Sequence, residues 1–119
     1  MERLIKALQN SVRAFRRLAA SETAFQQELA LLIAAIPVAW FLSTSWRGYW
    51  LLVGVILLLI MVEVLNSGIE AACDAISREF HVEIQLAKDC GSLAVLIAAI
   101  IALIVWGLAL AETVSGVPF

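Results

Sequence analysis

The chain is poor in charge, cysteine and histidine. Of its 119 residues, 15 % are charged, two are cysteine and one is histidine. Cys73 and Cys90 have neither C-x-x-C spacing nor companion histidines, which argues against zinc and for two reduced packing cysteines. His81, taken by itself, reads as a solvated loop residue. No G-x-x-x-x-G-K-[ST] loop and no G-x-G-x-x-G turn is present, so an ordinary soluble nucleotide fold is excluded. A cleavable signal peptide is not expected either, because no apolar core closely follows the first basic residues and no small-residue cleavage pattern interrupts the hydrophobic runs.

What is abundant is hydrocarbon. Hydrophobic residues make up 63 % of the chain and mean hydropathy is +0.98, outside the balance of a soluble domain. The expectation is an all-α integral membrane protein forming a single membrane domain over 1–119. It comprises an amphipathic surface helix at 1–21, transmembrane helices at about 25–45, 49–70 and 92–112, and a cytoplasmic connection at 71–91. Pro37 and Trp40 lie inside the first span, and the third carries no charge until Glu112. Arg3, Lys6, Arg13, Arg16, Arg17, Arg78 and Lys88 fall on one side of this arrangement and only Arg47 on the other, which predicts a cytoplasmic amino end.

In the surface helix, Leu4, Ile5, Leu8, Val12, Phe15, Leu18 and Ala19 recur at three and four, with Arg3, Lys6, Asn10, Arg13 and Arg17 opposite. Such a helix lies in the membrane interface, either as a topological anchor or with its basic groups toward anionic lipid or a phosphorylated ligand. Ser21 is expected to cap the next helix, with Glu22 in its first turn; the offset of six between Glu22 and Glu28 puts them on different sides. Ser77–Ala87 reads as helical, with Phe80, Ile84 and Ala87 on one side, Gly91 bending the chain and Ser92 capping the third span. Small residues at four-residue spacing, Ala94, Ala98 and Ala102 with Ala30 and Ala34, permit close helix approach.

The second span ends in a polar stripe. Glu63, Asn66, Glu70 and Asp74 follow the run Leu51–Val62, and at about 100° per residue they share one arc with Ser67. Ionisable groups at membrane depth face a bundle interior and mark function. Three spans enclose little core, so a lone protomer is expected to leave this stripe facing lipid, and self-association is expected for that reason. Lys88 and Asp89 sit at the same depth, where Lys88 either offsets repulsion among Glu70, Asp74 and Asp89 or binds phosphate. Carboxylates a turn or two apart suit a hard cation such as Mg²⁺ shared with phosphate oxygens, and a deeper, partly desolvated one suits a general base on a hydroxyl. Phosphoryl transfer to a lipid alcohol fits these parts. So do a proton relay, an ion path or polar glue between protomers.

Glu63-Val-Leu-Asn66-Ser67-Gly68-Ile69-Glu70-Ala-Ala-Cys73-Asp74 resembles the signature of the prokaryotic diacylglycerol kinase family. The likeness extends to Ser21-Glu22-Thr-Ala-Phe25-Gln-Gln27-Glu28, to Glu79-Phe80-His81 and to Ala87-Lys88-Asp89-Cys-Gly91-Ser92, in the right order. It implies a homotrimeric inner-membrane enzyme with shared sites, transferring phosphate from ATP to diacylglycerol with Mg²⁺. Residue by residue it implies Glu63 as general base, Asn66 orienting the site, Lys88 neutralising the transferring phosphoryl group, and Glu22 with Glu70 holding the metal. Arg3, Asn10, Gln27, Glu79, Phe80, His81, Lys88 and Asp89 match nucleotide positions; Arg3, Arg16, Glu28, Glu63 and Ser92 match lipid-side positions. There are departures. Asn10 stands where relatives commonly have tyrosine, Gln26 where arginine is frequent, and Gly68 and Cys73 replace other small or aliphatic residues. The nearest alternative is undecaprenol kinase of the same fold, which the Asn66-Ser67 form of the signature resembles less. An alternative of another class is a non-enzymatic oligomeric membrane protein.

Overall fold

Long runs of Leu, Ile, Val and Ala leave the helix as the simplest way to satisfy backbone polar groups in hydrocarbon. The computed structural model describes residues 1–119 and consists of four helices: α1 (Glu2–Ser21), α2 (Thr23–Leu42), α3 (Trp46–Ile76) and α4 (Val82–Val114). α2, α3 and α4 are each long and apolar enough to cross a membrane. At 1.5 Å per residue α3 is about 46 Å long, which exceeds the ~30 Å hydrocarbon layer, so one end of it must project. From Trp46 the rise to Glu63 is about 26 Å. The polar stripe therefore begins at the edge of the hydrocarbon and continues outside it.

Several boundaries differ from those expected. α3 runs on to Ile76 and α4 begins at Val82, so the segment 71–91 is two helix ends and a short turn rather than a separate connection. Gly91 lies inside α4, and Ser92 is an exposed interior residue, not a cap. A glycine costs a helix only about 1 kcal/mol, and the packing of α4 along α3 outweighs it. Phe80 precedes α4 and is exposed, so it does not share a helical face with Ile84. Ser21 does not cap α2: its Oγ donates to the Arg17 carbonyl, and Glu22 occupies the junction in an extended conformation. The side-chain cap falls instead at Ser45, whose Oγ accepts from the Gly48 N–H at 3.1 Å.

The core is a seam of small residues from α2 and α4 against branched residues of α3. Ala35 and Ala102 meet Val55 and Ile56; one to two turns away, Ala39 and Ala109 meet Leu52 and Val53. The expected alanine spacing holds at Ala98 and Ala102, but Ala94, Ala30 and Ala34 are exposed, and α2 buries Ala35 and Ala39 instead. Trp106 Nε1 donates to the Leu52 carbonyl at 3.0 Å, tying α4 to α3 within the apolar layer. Cys73 is buried and Cys90 exposed, both as free thiols, so only Cys73 is a packing residue.

α1 packs on α2 at one end, where Phe15 and Phe25 meet edge to face at 5.6 Å and Gln26 Nε2 donates to the Ala19 carbonyl at 2.8 Å. Gln26 thus stitches the α1–α2 joint. Leu4, Ile5, Leu8 and Val12 remain exposed, as an interfacial helix requires.

At the far end Phe119 folds back on the start of α3, its carbonyl accepting from Ser45 Oγ. A Cβ on Gly48 would collide with the Phe119 backbone, whereas a Cβ on Gly54 would meet nothing within 4 Å. Gly48→Ala is expected to lower the thermal midpoint in detergent, by a cost of about 1–3 kcal/mol from overpacking. Gly54→Ala should leave the midpoint unchanged or slightly raised.

Candidate intramembrane carboxylate site

Glu63 and Asn66 are buried within one protomer, at 8 % and 9 % relative exposure. This overturns the expectation that an isolated protomer leaves the stripe facing lipid: α4 covers it. The cover is close because Gly91 of α4 faces Asn66, and a Cβ there would strike the Asn66 side-chain oxygen. Asn66 Nδ2 reaches Glu63 Oε2 at 3.5 Å and Glu70 Oε1 at 3.3 Å. These are long bonds, yet they place one amide between two carboxylates on successive turns.

Glu28 on α2 lies near enough to Glu63 for the two charges to repel, and Glu63 also feels Glu70 and Glu22. Glu28 of α2, Glu70 of α3 and Glu22 of the α1–α2 junction thus all act on the Glu63 charge. Glu22 is in the extended junction, outside the helical register of α2, and lines an outer cleft, whereas Glu28 is on α2 near Glu63. Glu28 Oε1 and Asn66 Oδ1 are buried without a hydrogen-bond partner. Buried polar atoms are normally satisfied, so each of these oxygens is open to a donor from outside the chain.

Outside this buried group, Glu22 and Glu70 line a cleft with Arg17, Ser67, Asp74 and Arg78. No three acid, histidine or cysteine side chains converge to hold a metal ion with protein ligands alone. Two carboxylates at an open cleft nevertheless fit Mg²⁺, which takes one or two carboxylates and completes its octahedron with water and phosphate oxygens. Lys88 Nζ pairs with Asp74 Oδ1 at 2.9 Å, and Gln85 Nε2 donates to Asp89 Oδ1 at 2.9 Å. The Lys88–Asp74 pair is partly exposed and therefore weak enough to exchange.

The other expected residues lie on the surface of the protomer. Arg3 and Asn10 flank a shallow depression on α1, where Asn10 Oδ1 accepts from Arg13; Arg16 is exposed further along the same helix. Gln27, Glu79, Phe80, His81 and Ser92 are exposed. Conversely, Arg17, Arg78 and Gly91 belong to the site and were not expected there. A basic residue on each side of the acidic segment was the available signal for the two arginines.

A three-span bundle with a surface helix, four acids at the hydrocarbon edge and flanking cations defines a membrane protein built to handle a charged ligand beside lipid. Comparison with known proteins supplies the particular family. Residues 9–110 match the model of the prokaryotic diacylglycerol kinases. The chain is 41 % identical over 104 residues to diacylglycerol kinase of Escherichia coli strain K12, covering 87 % of this chain and 85 % of that protein. It is 37 % identical over 106 residues to diacylglycerol kinase of Pseudomonas aeruginosa, covering 89 % and 86 %. It is 36 % identical over 104 residues to that of Haemophilus influenzae, covering 87 % and 88 %. The chain belongs to the prokaryotic diacylglycerol kinase family.

Gly91→Ala should displace Asn66 from between Glu63 and Glu70. In a diacylglycerol phosphorylation assay the expected result is at least a tenfold fall in turnover with little change in helical content. Wild-type turnover would show that the close α3–α4 approach is not needed by the site.

Proposed function

We propose that the chain transfers the γ-phosphoryl group of ATP to the hydroxyl of 1,2-diacylglycerol, giving phosphatidic acid and ADP. It acts as a multi-pass protein of a bacterial inner membrane with its amino end and active site on the cytoplasmic side. The observation that carries this reading is the buried Glu63, linked through Asn66 to Glu70 and bordered by the Glu22 cleft at the edge of the hydrocarbon.

Glu63 accepts the proton of the lipid hydroxyl as its oxygen bonds to the γ-phosphorus and the bond to ADP breaks. Asn66 holds the Glu63 carboxylate in place, and Glu28, near Glu63, helps to place the lipid. Glu22 and Glu70 would hold Mg²⁺, which would supply charge neutralisation on the donor phosphates. Lys88 leaves Asp74 to approach the transferring group, which the partly exposed pair permits. Arg3, Asn10, Gln27, Glu79, Phe80, His81 and Asp89 form a nucleotide-facing rim, and Arg16 and Ser92 border the lipid.

The rim residues are exposed in one protomer, which leaves them open to a homotrimer whose sites are completed between protomers. An apolar groove of about 470 Å³ between α2, α3 and α4, lined entirely by hydrophobic residues, supports the same assembly.

Glu63→Gln is expected to cut transfer by about 10²-fold or more while the oligomer stays intact; undiminished transfer would exclude Glu63 as the base. Glu70→Gln should raise the Mg²⁺ concentration needed for nucleotide binding, measured by titration. Parallel assays with diacylglycerol and undecaprenol test the acceptor, and faster turnover of undecaprenol would overturn the substrate assignment.

A further inference from the structure

The polar stripe of α1 ends at the acidic cleft. At about 100° per residue, Arg3, Lys6, Asn10, Arg13 and Arg17 share an arc of about 80° on that helix. Arg3, Lys6 and Asn10 open on a shallow depression of α1 itself, and Arg13 donates to Asn10 Oδ1 at 2.8 Å. Of the stripe only Arg17, one turn before the end of α1, lines the cleft that holds Glu22 and Glu70. Arg78 lines the same cleft from the turn between α3 and α4.

The charges of the cleft sort into two sets. Asp74 is held by Lys88 at 2.9 Å, the one ion pair in the structure. Neither Arg17 nor Arg78 comes within 4.0 Å of a carboxylate oxygen, although Glu22, Glu70 and Asp74 line the same cleft. A guanidinium whose only work was to offset a neighbouring acid would gain by closing on it as a two-bond fork. Left open, the two carboxylates Glu22 and Glu70 suit a divalent metal, and the two guanidinium groups suit the oxygens of a polyanion that the metal bridges. The cleft, about 370 Å³, falls in the ~300–1,000 Å³ range of small-ligand sites. It is also at the right place: Glu70 lies two turns, about 10 Å, along α3 from the buried Glu63, and Asn66 reaches both.

We propose that Arg17 and Arg78 bind the polyphosphate of the donor nucleotide in the Glu22–Glu70 cleft, as direct ligands of its oxygens. This rests on the phosphoryl-transfer reading of the site and adds two residues to it, so that bound phosphates tie α1 to the α3–α4 turn. Exposed arginines at this depth have two other roles open to them, damping the acids of the cleft and touching anionic headgroups at the membrane surface. Each role predicts a different measurement.

The full-length protein in detergent is titrated calorimetrically with magnesium tripolyphosphate and with MgATP, which reads binding independently of transfer to any lipid. Arg17→Ala and Arg78→Ala are each expected to weaken both ligands about tenfold and by a common factor, because the contact is to phosphate and not to the base. Both arginines are exposed, so their replacement spares the core. Arg17→Lys and Arg78→Lys, which keep the charge and lose the fork, should fall between wild type and alanine. Arg47→Ala removes the same charge at the far end of α3 and should bind both ligands as the wild type does. In turnover with diacylglycerol, KM for MgATP should rise with the alanine variants and KM for the lipid should not. Undiminished tripolyphosphate binding by both alanine variants, or an equal loss in Arg47→Ala, would overturn the proposal. In that case a raised lipid KM would assign the arginines to headgroups, and tighter Mg²⁺ binding alone would make them dampers of the acids. A wild-type protein that binds MgATP through these arginines yet phosphorylates no diacylglycerol would sink the transfer reading and leave this assignment standing.

Discussion

A carboxylate at the edge of hydrocarbon loses most of its hydration, and the arrangement around Glu63 follows from that constraint. Asn66 lies within reach of Glu63, whose charge is opposed by those of Glu28, Glu70 and Glu22. Isolated buried charges are expensive, and a site that concentrates them without internal compensation is built for a ligand that brings the compensation. The orphaned oxygens of Glu28 and Asn66 express the same demand in hydrogen bonds. The cations that the chain does supply, Arg17, Arg78 and Lys88, are held at the cleft and its surroundings, outside the buried group.

The helices serve this placement. α3 overshoots the hydrocarbon layer, so one continuous rod carries an apolar stretch, the buried base and the exposed end of the acidic stripe in fixed succession. α4 runs beside it, and Gly91 allows the two backbones to close over Asn66. The extended residue Glu22 breaks the line between α1 and α2 at the point where a carboxylate must turn toward α3. The spans thus hold the core of the site, while the proposed nucleotide rim is drawn from the surface helix, the α3–α4 turn and the adjoining ends of α2 and α4. Such a division suits a reaction in which positioning and electrostatics do most of the catalytic work.

The two ends of the bundle differ in kind. One gathers acids and arginines at a water-facing cleft; the other gathers indole and phenol rings with hydroxyls at a tight turn. About 26 Å of apolar α3 separates them, so they address opposite faces of one bilayer. The first suits a phosphorylated, metal-bound ligand.

From residue order alone, the three apolar runs, the amphipathic amino helix and the shared arc of Glu63, Asn66 and Glu70 were readable, because hydropathy and the 3.6-residue period are local properties of the chain. Residue order could not reveal that α4 buries the stripe inside a single protomer, nor which alanines of α2 face α3, since both depend on how helices rotate against one another. It also misled at Gly91, where a flexible residue was taken for a bend and instead leaves the space that Asn66 occupies. Sequence determined the spans and their chemistry because each depends on neighbours along the chain. Tertiary structure decided which polar atoms meet, because such meetings depend on backbone approach between helices distant in sequence.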